Sequence, residues 1–355
     1  MAIVTLLAAG GLALAACAEA PEEGNGNGTD EPPAGDYTAC MVTDVGGIDD
    51  RSFNASAWQG LQDAAAQSDA LAEPQNAASD AEADYVPNLT EFVNADCNFV
   101  LAVGGLMFTA TQEVAEANPE QQFGIVDASV PLDNVYPMQF DTAQAAFLAG
   151  YLAAGYSTSG AVATYGGLNI PPVTIFMDGF ADGVAHHNEV KGTEVEVLGW
   201  DKEAQEGTFA ESFTDQGLGR QVSDAFVAQG ADVIMPVAGG TGLGTAAGAQ
   251  ETGDYVVIWV DVDGCESAEQ YCDVFLTTVV KNIPLAVSEA VLAASETDGL
   301  TTGSFLGTLE NDGVSIAPYH EFEDDISEEL KAEVEQLKQD IISGTITVTS
   351  PAQPS

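Results

Sequence analysis

Residues 38–61 read Thr-Ala-Cys-Met-Val-Thr-Asp-Val-Gly-Gly-Ile-Asp-Asp-Arg-Ser-Phe-Asn-Ala-Ser-Ala-Trp-Gln-Gly-Leu. A short apolar run ends at Asp44. Gly46 and Gly47 follow, then Asp49, Asp50, Ser52, Phe53 and Asn54. An amphipathic pattern then places Trp58, Leu61, Ala64 and Ala65 on one side. The order predicts strand, glycine loop, helix, and such a loop lies at the carboxyl end of a parallel strand, where open α/β sheets bind ligands. Polar groups beside an aromatic there point to a binding site. The plainer reading is a tight turn with Ser52 or Asn54 as the helix N-cap.

Working outward, apolar strands alternate with helical stretches. Residues 98–104, 123–128 and 135–140 read as strands, with Asp127 at a strand end. Residues 108–118 and 143–156 read as helices. A second series follows, with strands over 161–167, 194–200, 231–237 and 255–261 and helices over 174–185 and 216–229. Two consecutive series predict two doubly wound α/β lobes. Beyond Lys281 come a helix over 285–294, strands over 304–309 and 314–318, and a last helix over 327–343 that stops at Gly344. These tail elements are expected to cross back and complete both sheets. The expected division is lobe 1 over 38–140 plus 278–302 and lobe 2 over 141–277 plus 303–349.

The 355 residues carry 56 acidic and 7 basic side chains, a net charge of −49. Such a surface repels nucleic acid and anionic headgroups. Spread evenly, it suits high salt, where screening relieves self-repulsion. The chain opens on an apolar run over 2–16 and then Cys17. Leu14-Ala15-Ala16-Cys17 fits a bacterial lipoprotein signal, with Cys17 receiving lipid; the run is too short to span a bilayer. No Lys or Arg precedes it, so a start further upstream is expected. Residues 18–36 are rich in Glu, Gly, Asn and Pro and read as a flexible tether. The expected location is the extracytoplasmic face of the cell membrane, anchored through Cys17.

An exported chain permits disulfides. Cys40 and Cys97 each begin a predicted strand, and Cys265 and Cys272 would close a short loop; spacing alone proves neither pair. No metal-type CxxC or HxxxH spacing is present, and neither metal nor cofactor is expected. Asp44, Asp127 and Asp261 each end a predicted strand, where carboxylates can accept from ribose hydroxyls or from the N–H edge of a base. The glycines after Val237 resemble a dinucleotide loop, with Asp261 about twenty residues on, but the third glycine position is Thr245. Lys281 ends an apolar run, either facing water or donating inside a cleft. The Asp44, Asp49 and Asp50 loop also resembles the calcium-binding loop of nucleoside hydrolases, with Val42 where that loop has a further aspartate.

Residues 42–54, Val-Thr-Asp-Val-Gly-Gly-Ile-Asp-Asp-Arg-Ser-Phe-Asn, resemble the signature of the basic membrane protein family, substrate-binding lipoproteins of ABC transporters that include purine-nucleoside receptors. The resemblance runs on through residues 123–127, 147–154, 179–184, 232–244, 260–263 and 277–281. It implies a type I periplasmic-binding-protein fold, two α/β lobes with ligand in the cleft between them. It implies that Phe53 stacks on the base and that Asp44 and Asp127 hold its polar edges. It further implies that Asp261 and Lys281 hold the ribose and that Asn54 and Gly239 also contact the ligand. Met235 stands where many members have Phe and is expected on the second face of the base, through its polarizable sulfur. Trp259 is expected in the core.

The expected function is therefore a non-enzymatic, monomeric receptor that captures a nucleoside, with purines the expected class, and passes it to permease subunits. The alternatives are a calcium-dependent nucleoside hydrolase using Asp44, Asp49 and Asp50, and a receptor of the same fold for a sugar or another small metabolite.

Overall fold

The computed structural model describes residues 35–297 and 302–354. The signal segment, Cys17 and most of the expected tether lie outside them. The strands are β1 (Ala39–Thr43), β2 (Gln75–Ala77), β3 (Phe99–Val103), β4 (Gln122–Val126), β5 (Val135–Phe140), β6 (Ala161–Gly166), β7 (Glu196–Leu198), β8 (Trp200–Asp201), β9 (Glu206–Gly207), β10 (Val233–Val237), β11 (Val256–Asp261), β12 (Phe275–Lys281), β13 (Phe305–Gly307) and β14 (Val314–Ile316). The helices are α1 (Phe53–Gln67), α2 (Tyr85–Asn94), α3 (Phe108–Ala117), α4 (Thr142–Tyr156), α5 (Pro171–Lys191), α6 (Gln216–Val227), α7 (Gly242–Thr252), α8 (Gly264–Ser267), α9 (Ile283–Glu296) and α10 (Glu328–Ile342).

Two six-stranded sheets result. The first has the order β13-β5-β4-β3-β1-β2, all parallel; the second has β14-β12-β11-β10-β6-β7, parallel except where β14 meets β12. Strands β1, β3, β4 and β10 are buried at every residue, which explains their continuous apolar runs: helices cover both faces of a parallel sheet. The architecture is that of the type I periplasmic-binding fold.

The crossings differ from the expected division. Residues 278–281 belong to β12, held between β11 and β14 in the second sheet, so they are not in lobe 1. Strand β13 pairs with β5 and extends the first sheet, so residues 305–307 are not in lobe 2. Pairing decides this: each segment joins the sheet whose open edge it meets. The chain thus crosses after Phe140, after Lys281 and after Gly307.

Helix α4 is apolar nearly all round and almost wholly buried, as a helix inside a core must be. It lies unusually close to α5. A Cβ at Gly150 would stand 2.1 Å from Phe180 O, and one at Gly183 would stand 2.0 Å from Phe147 O, so these glycines let backbone meet backbone. Helix α7 was not anticipated, because its sequence is rich in glycine. There too the glycines serve packing: a Cβ at Gly244 would lie 1.8 Å from Gln216 O. No helix among the described residues is long and apolar enough to cross a membrane.

Candidate functional site

The carboxyl ends of β1, β4, β11 and β12 converge on one cleft. Asp44, Phe53, Asn54, Asp127, Gly239, Asp261 and Lys281 all line it. The empty space among these residues amounts to about 600 Å³, part of it open solvent.

At one end Asp44 is 8% exposed. Its Oδ1 accepts from Asn54 Nδ2 at 3.0 Å. Burial pushes its carboxyl up to about 7; the Asn54 bond works against this, and repulsion from Asp50 and Asp127 adds to it. The glycine before α3 makes room for it: a Cβ at Gly104 would come 2.2 Å from Asp44 Oδ2, and Gly104 has φ +118°. Asn54 Oδ1 is buried without a hydrogen-bond partner among the described residues, leaving an acceptor at the cleft wall.

At the other end Lys281 Nζ donates to Asp127 Oδ2 at 2.7 Å and stands 3.8 Å from Asp261 Oδ1. The side chains of Lys281 and Asp127 are 3% and 7% exposed. Burial raises the Asp127 carboxyl, with Lys281 opposing. Asp127 and Asp261 have φ of 65° and 72°, a left-handed conformation that costs non-glycine residues energy and gathers at functional sites. Lys281 Nζ also lies 5.0 Å from the ring centre of Phe53 and 5.2 Å from that of Phe176, within cation–π range.

Several roles differ from expectation. Ser52 occupies the N-cap position of α1 but its side chain makes no capping bond, and Asn54 lies within the helix. The cap is Asp50, whose carboxylate accepts from the backbone N–H groups of Ser52, Asn54 and Ala55 at 3.0, 2.8 and 3.0 Å. Ser52 instead donates from Oγ to Asp261 Oδ2 at 2.7 Å, joining the first lobe to a carboxylate of the second. Met235 is not at the cleft. It is fully buried in the core, because it lies two residues short of the end of β10, beneath Val237, which shares its face and itself lines the cleft.

Aromatic walls come from residues that sequence reasoning missed. Phe213 lines the cleft from the loop before α6; its carbonyl accepts from Thr241 N at 3.1 Å. Gly167 leaves space for its ring, since a Cβ there would meet Phe213 Cε1 at 2.3 Å. Phe176 joins from α5, with Ile170, Pro172 and Val173 beside it. Trp259 is buried in the core against Phe275.

Asp44, Asp49 and Asp50 do not assemble as a calcium loop. Asp49 is exposed and outside the cleft, and Asp50 is committed to the α1 backbone. Disulfides join Cys40 to Cys97 and Cys265 to Cys272.

The family model described as "ABC transporter substrate-binding protein PnrA-like", Bmp, matches residues 37–351. The chain belongs to the Bmp family. Members of the Bmp family are substrate-binding proteins of ABC transporters. Among curated relatives, a CD4+ T-cell-stimulating antigen of Listeria innocua is 30% identical over 99% of this chain and 98% of its own length. An ABC transporter nucleoside-binding protein, BmpA, of Lactococcus lactis is 28% identical over 91% of this chain and 92% of its own. Among solved structures, an ABC transporter solute-binding protein from Aeropyrum pernix K1 has a TM-score of 0.78 at 24% identity, covering 89% of this chain and 94% of that one. That likeness concerns the fold.

Proposed function

We propose that this Bmp-family protein is a nucleoside receptor, with purines its main class, that delivers its ligand to an ABC permease. The observation that carries the reading is the layout of one cleft. Phe53 enters from the first lobe and Phe213 from the second, supplying flat apolar surface for a base. Asp44 and Asn54 offer hydrogen-bond partners at one end. Asp261 and Lys281 offer an acceptor and a donor for a sugar diol at the other. The Lactococcus relative's name, a nucleoside-binding protein, supports the same ligand class.

Charge narrows the class further. Asp44, Asp50, Asp127 and Asp261 face the cleft with Lys281 as the one basic residue lining it. An uncharged nucleoside suits that surface, whereas a nucleotide phosphate would meet carboxylates. Capture of small neutral ligands asks for lobe closure that excludes water, and the Ser52–Asp261 bond is a contact that closure would make. In this reading Cys17 carries the lipid that holds a monomer at the outer face of the membrane. Replacing Cys17 by Ser is expected to release the protein from the membrane fraction.

The deciding experiment is calorimetric titration of the chain lacking residues 1–34 with guanosine, inosine, adenosine, free bases and ribose, in high and low salt. Tight binding of a nucleoside with weak binding of ribose and free bases is expected. Ribose binding as tightly alone would overturn the base-stacking role of Phe53 and Phe213 and favour a sugar receptor of the same fold.

A further inference from the structure

One cluster of chemistry-bearing side chains lies outside the cleft. Two residues beyond the end of β11, Asp263 caps α8: its Oδ1 accepts from Cys265 N at 3.0 Å. Its Oδ2 faces His320 Nε2 at 2.7 Å. His320 comes from the turn after β14. Cys265 is bonded to Cys272, seven residues on. The donor atoms of Asp263, Cys265 and His320 all lie within 4.8 Å of one another, and the Cys272 sulfur is bonded to that of Cys265. A sulfur, an imidazole nitrogen and a carboxylate oxygen therefore converge, with a second sulfur one bond away. While the disulfide stands neither sulfur is a ligand, because the thiolate is the metal-binding form.

We infer that the reduced chain holds a zinc-class divalent metal through Asp263, Cys265, Cys272 and His320. The step that opens the site needs a dithiol. It delivers two electrons and two protons, the Sγ–Sγ bond breaks, two thiols form, and the dithiol leaves as its own disulfide. The metal then displaces the two thiol protons to solvent and takes two thiolates, His320 Nε2 and one Asp263 oxygen. Four donors of N, S and O type match the tetrahedral count of closed zinc sites. Two thiolates disfavour calcium and magnesium, which take hard oxygen ligands.

The two bridges differ in the way this requires. Cys40 and Cys97 are 0% and 2% exposed, out of reach of a reductant in a folded chain. Cys265 and Cys272 are half-buried at the surface, and accessible bridges are the labile ones. Opening a loop of this size also costs the fold less than opening the 57-residue span of the other bridge. The site owes nothing to what the cleft binds.

The test uses the full chain. It is reduced with dithiothreitol, freed of reductant under anaerobic conditions and titrated with cobalt(II), a coloured stand-in for zinc. Expected is one equivalent of cobalt with sulfur-to-metal charge-transfer absorption, displaced by zinc and absent from the oxidised chain. The Cys265→Ser/Cys272→Ser variant loses the absorption. His320→Ala and Asp263→Asn each weaken binding by about tenfold or more. Circular dichroism follows the fold throughout. The proposal is overturned by any of four results: a reduced chain that retains no cobalt, equal uptake by the oxidised chain, unchanged affinity in either the His320 or the Asp263 variant, or loss of the fold on reduction.

Discussion

The two ends of the cleft solve the burial of carboxylates in opposite ways. At the Lys281 end, an ammonium lies between Asp127 and Asp261, with Ser52 holding the outer oxygen of Asp261. At the Asp44 end there is no cation in contact; one neutral amide, Asn54, is the partner. The first end pairs its carboxyl groups with a basic side chain. The second is a carboxyl that burial pushes up to about 7, so that it titrates near ordinary pH. A buried charge is kept by pairing or given up by protonation, and this cleft does both. The difference teaches that, in the proposed receptor, a ligand would meet a fixed electrostatic anchor at one end and a titratable reader at the other.

Breaking the anchor has the largest expected effect. Lys281→Met leaves two carboxylates without their cation, and removing one member of a buried charge pair costs about 3–5 kcal/mol. Urea unfolding near neutral pH reads that loss, and ligand binding is expected to disappear with it.

The reader comes next. The folded chain holds the Asp44 proton up to about pH 7, whereas the unfolded carboxyl releases it near its model value of 3.8. Between those values the native state binds more protons, so ligand-free stability falls as pH rises and levels off above about 7. At about 1.4 kcal/mol per unit the effect amounts to at most ~4 kcal/mol. Asp44→Asn is expected to remove this slope and to be the more stable protein in mild alkali, since its amide can also donate to Asn54 Oδ1. If Asp44 reads the base, inosine, with a ring N–H, binds more tightly as pH rises through about 7. Adenosine, whose ring nitrogen accepts, does the reverse. A flat profile for both would remove Asp44 from base recognition.

The walls should matter less than either end. Phe213→Ala is expected to cost about 2 kcal/mol of nucleoside affinity, the scale of one aromatic stacking on a base, and to leave the pH profile intact. Met235→Phe should leave affinity unchanged and lower stability by about 1–3 kcal/mol through overpacking. Smallest is Ser52→Ala. Losing one hydrogen bond to a charged group costs about 1.5 kcal/mol, roughly tenfold in affinity by calorimetry, and a far larger drop would make Ser52 a direct ligand contact.

Much of this cleft was legible in the chain. Asp44, Asp127 and Asp261 each end an apolar run, and strand ends of parallel sheets gather on one side, so their meeting followed from pattern. Lys281 was ambiguous by itself; a strand-end lysine reads alike in water and in a cleft until its partners are known. Phe213 sits in an acidic stretch without periodicity, and Phe176 is hidden among the apolar residues of α5, so neither carried a local signal. Met235 was misplaced because a residue two positions from a strand's end can belong to the core rather than the rim. Asp50 took the capping role expected of Ser52 or Asn54, since several side chains in one loop could satisfy the same helix terminus. Strand membership at the crossings depends on which sheet edge is open, a property of the assembled lobes.

The path of the chain at those crossings bears on when the protein can fold. The first sheet lacks its edge strand until β13 has been made, and the second lacks one until β14, which ends at Ile316. Neither lobe can be completed from an N-terminal fragment, however long, that stops short of these residues. Contacts of such sequence separation slow folding, and a chain that emerges from its N-terminus stays unfinished until nearly all of it is present. If the apolar segment over 2–17 directs export, as its sequence suggests, that delay would leave the chain unfolded for translocation through most of its synthesis.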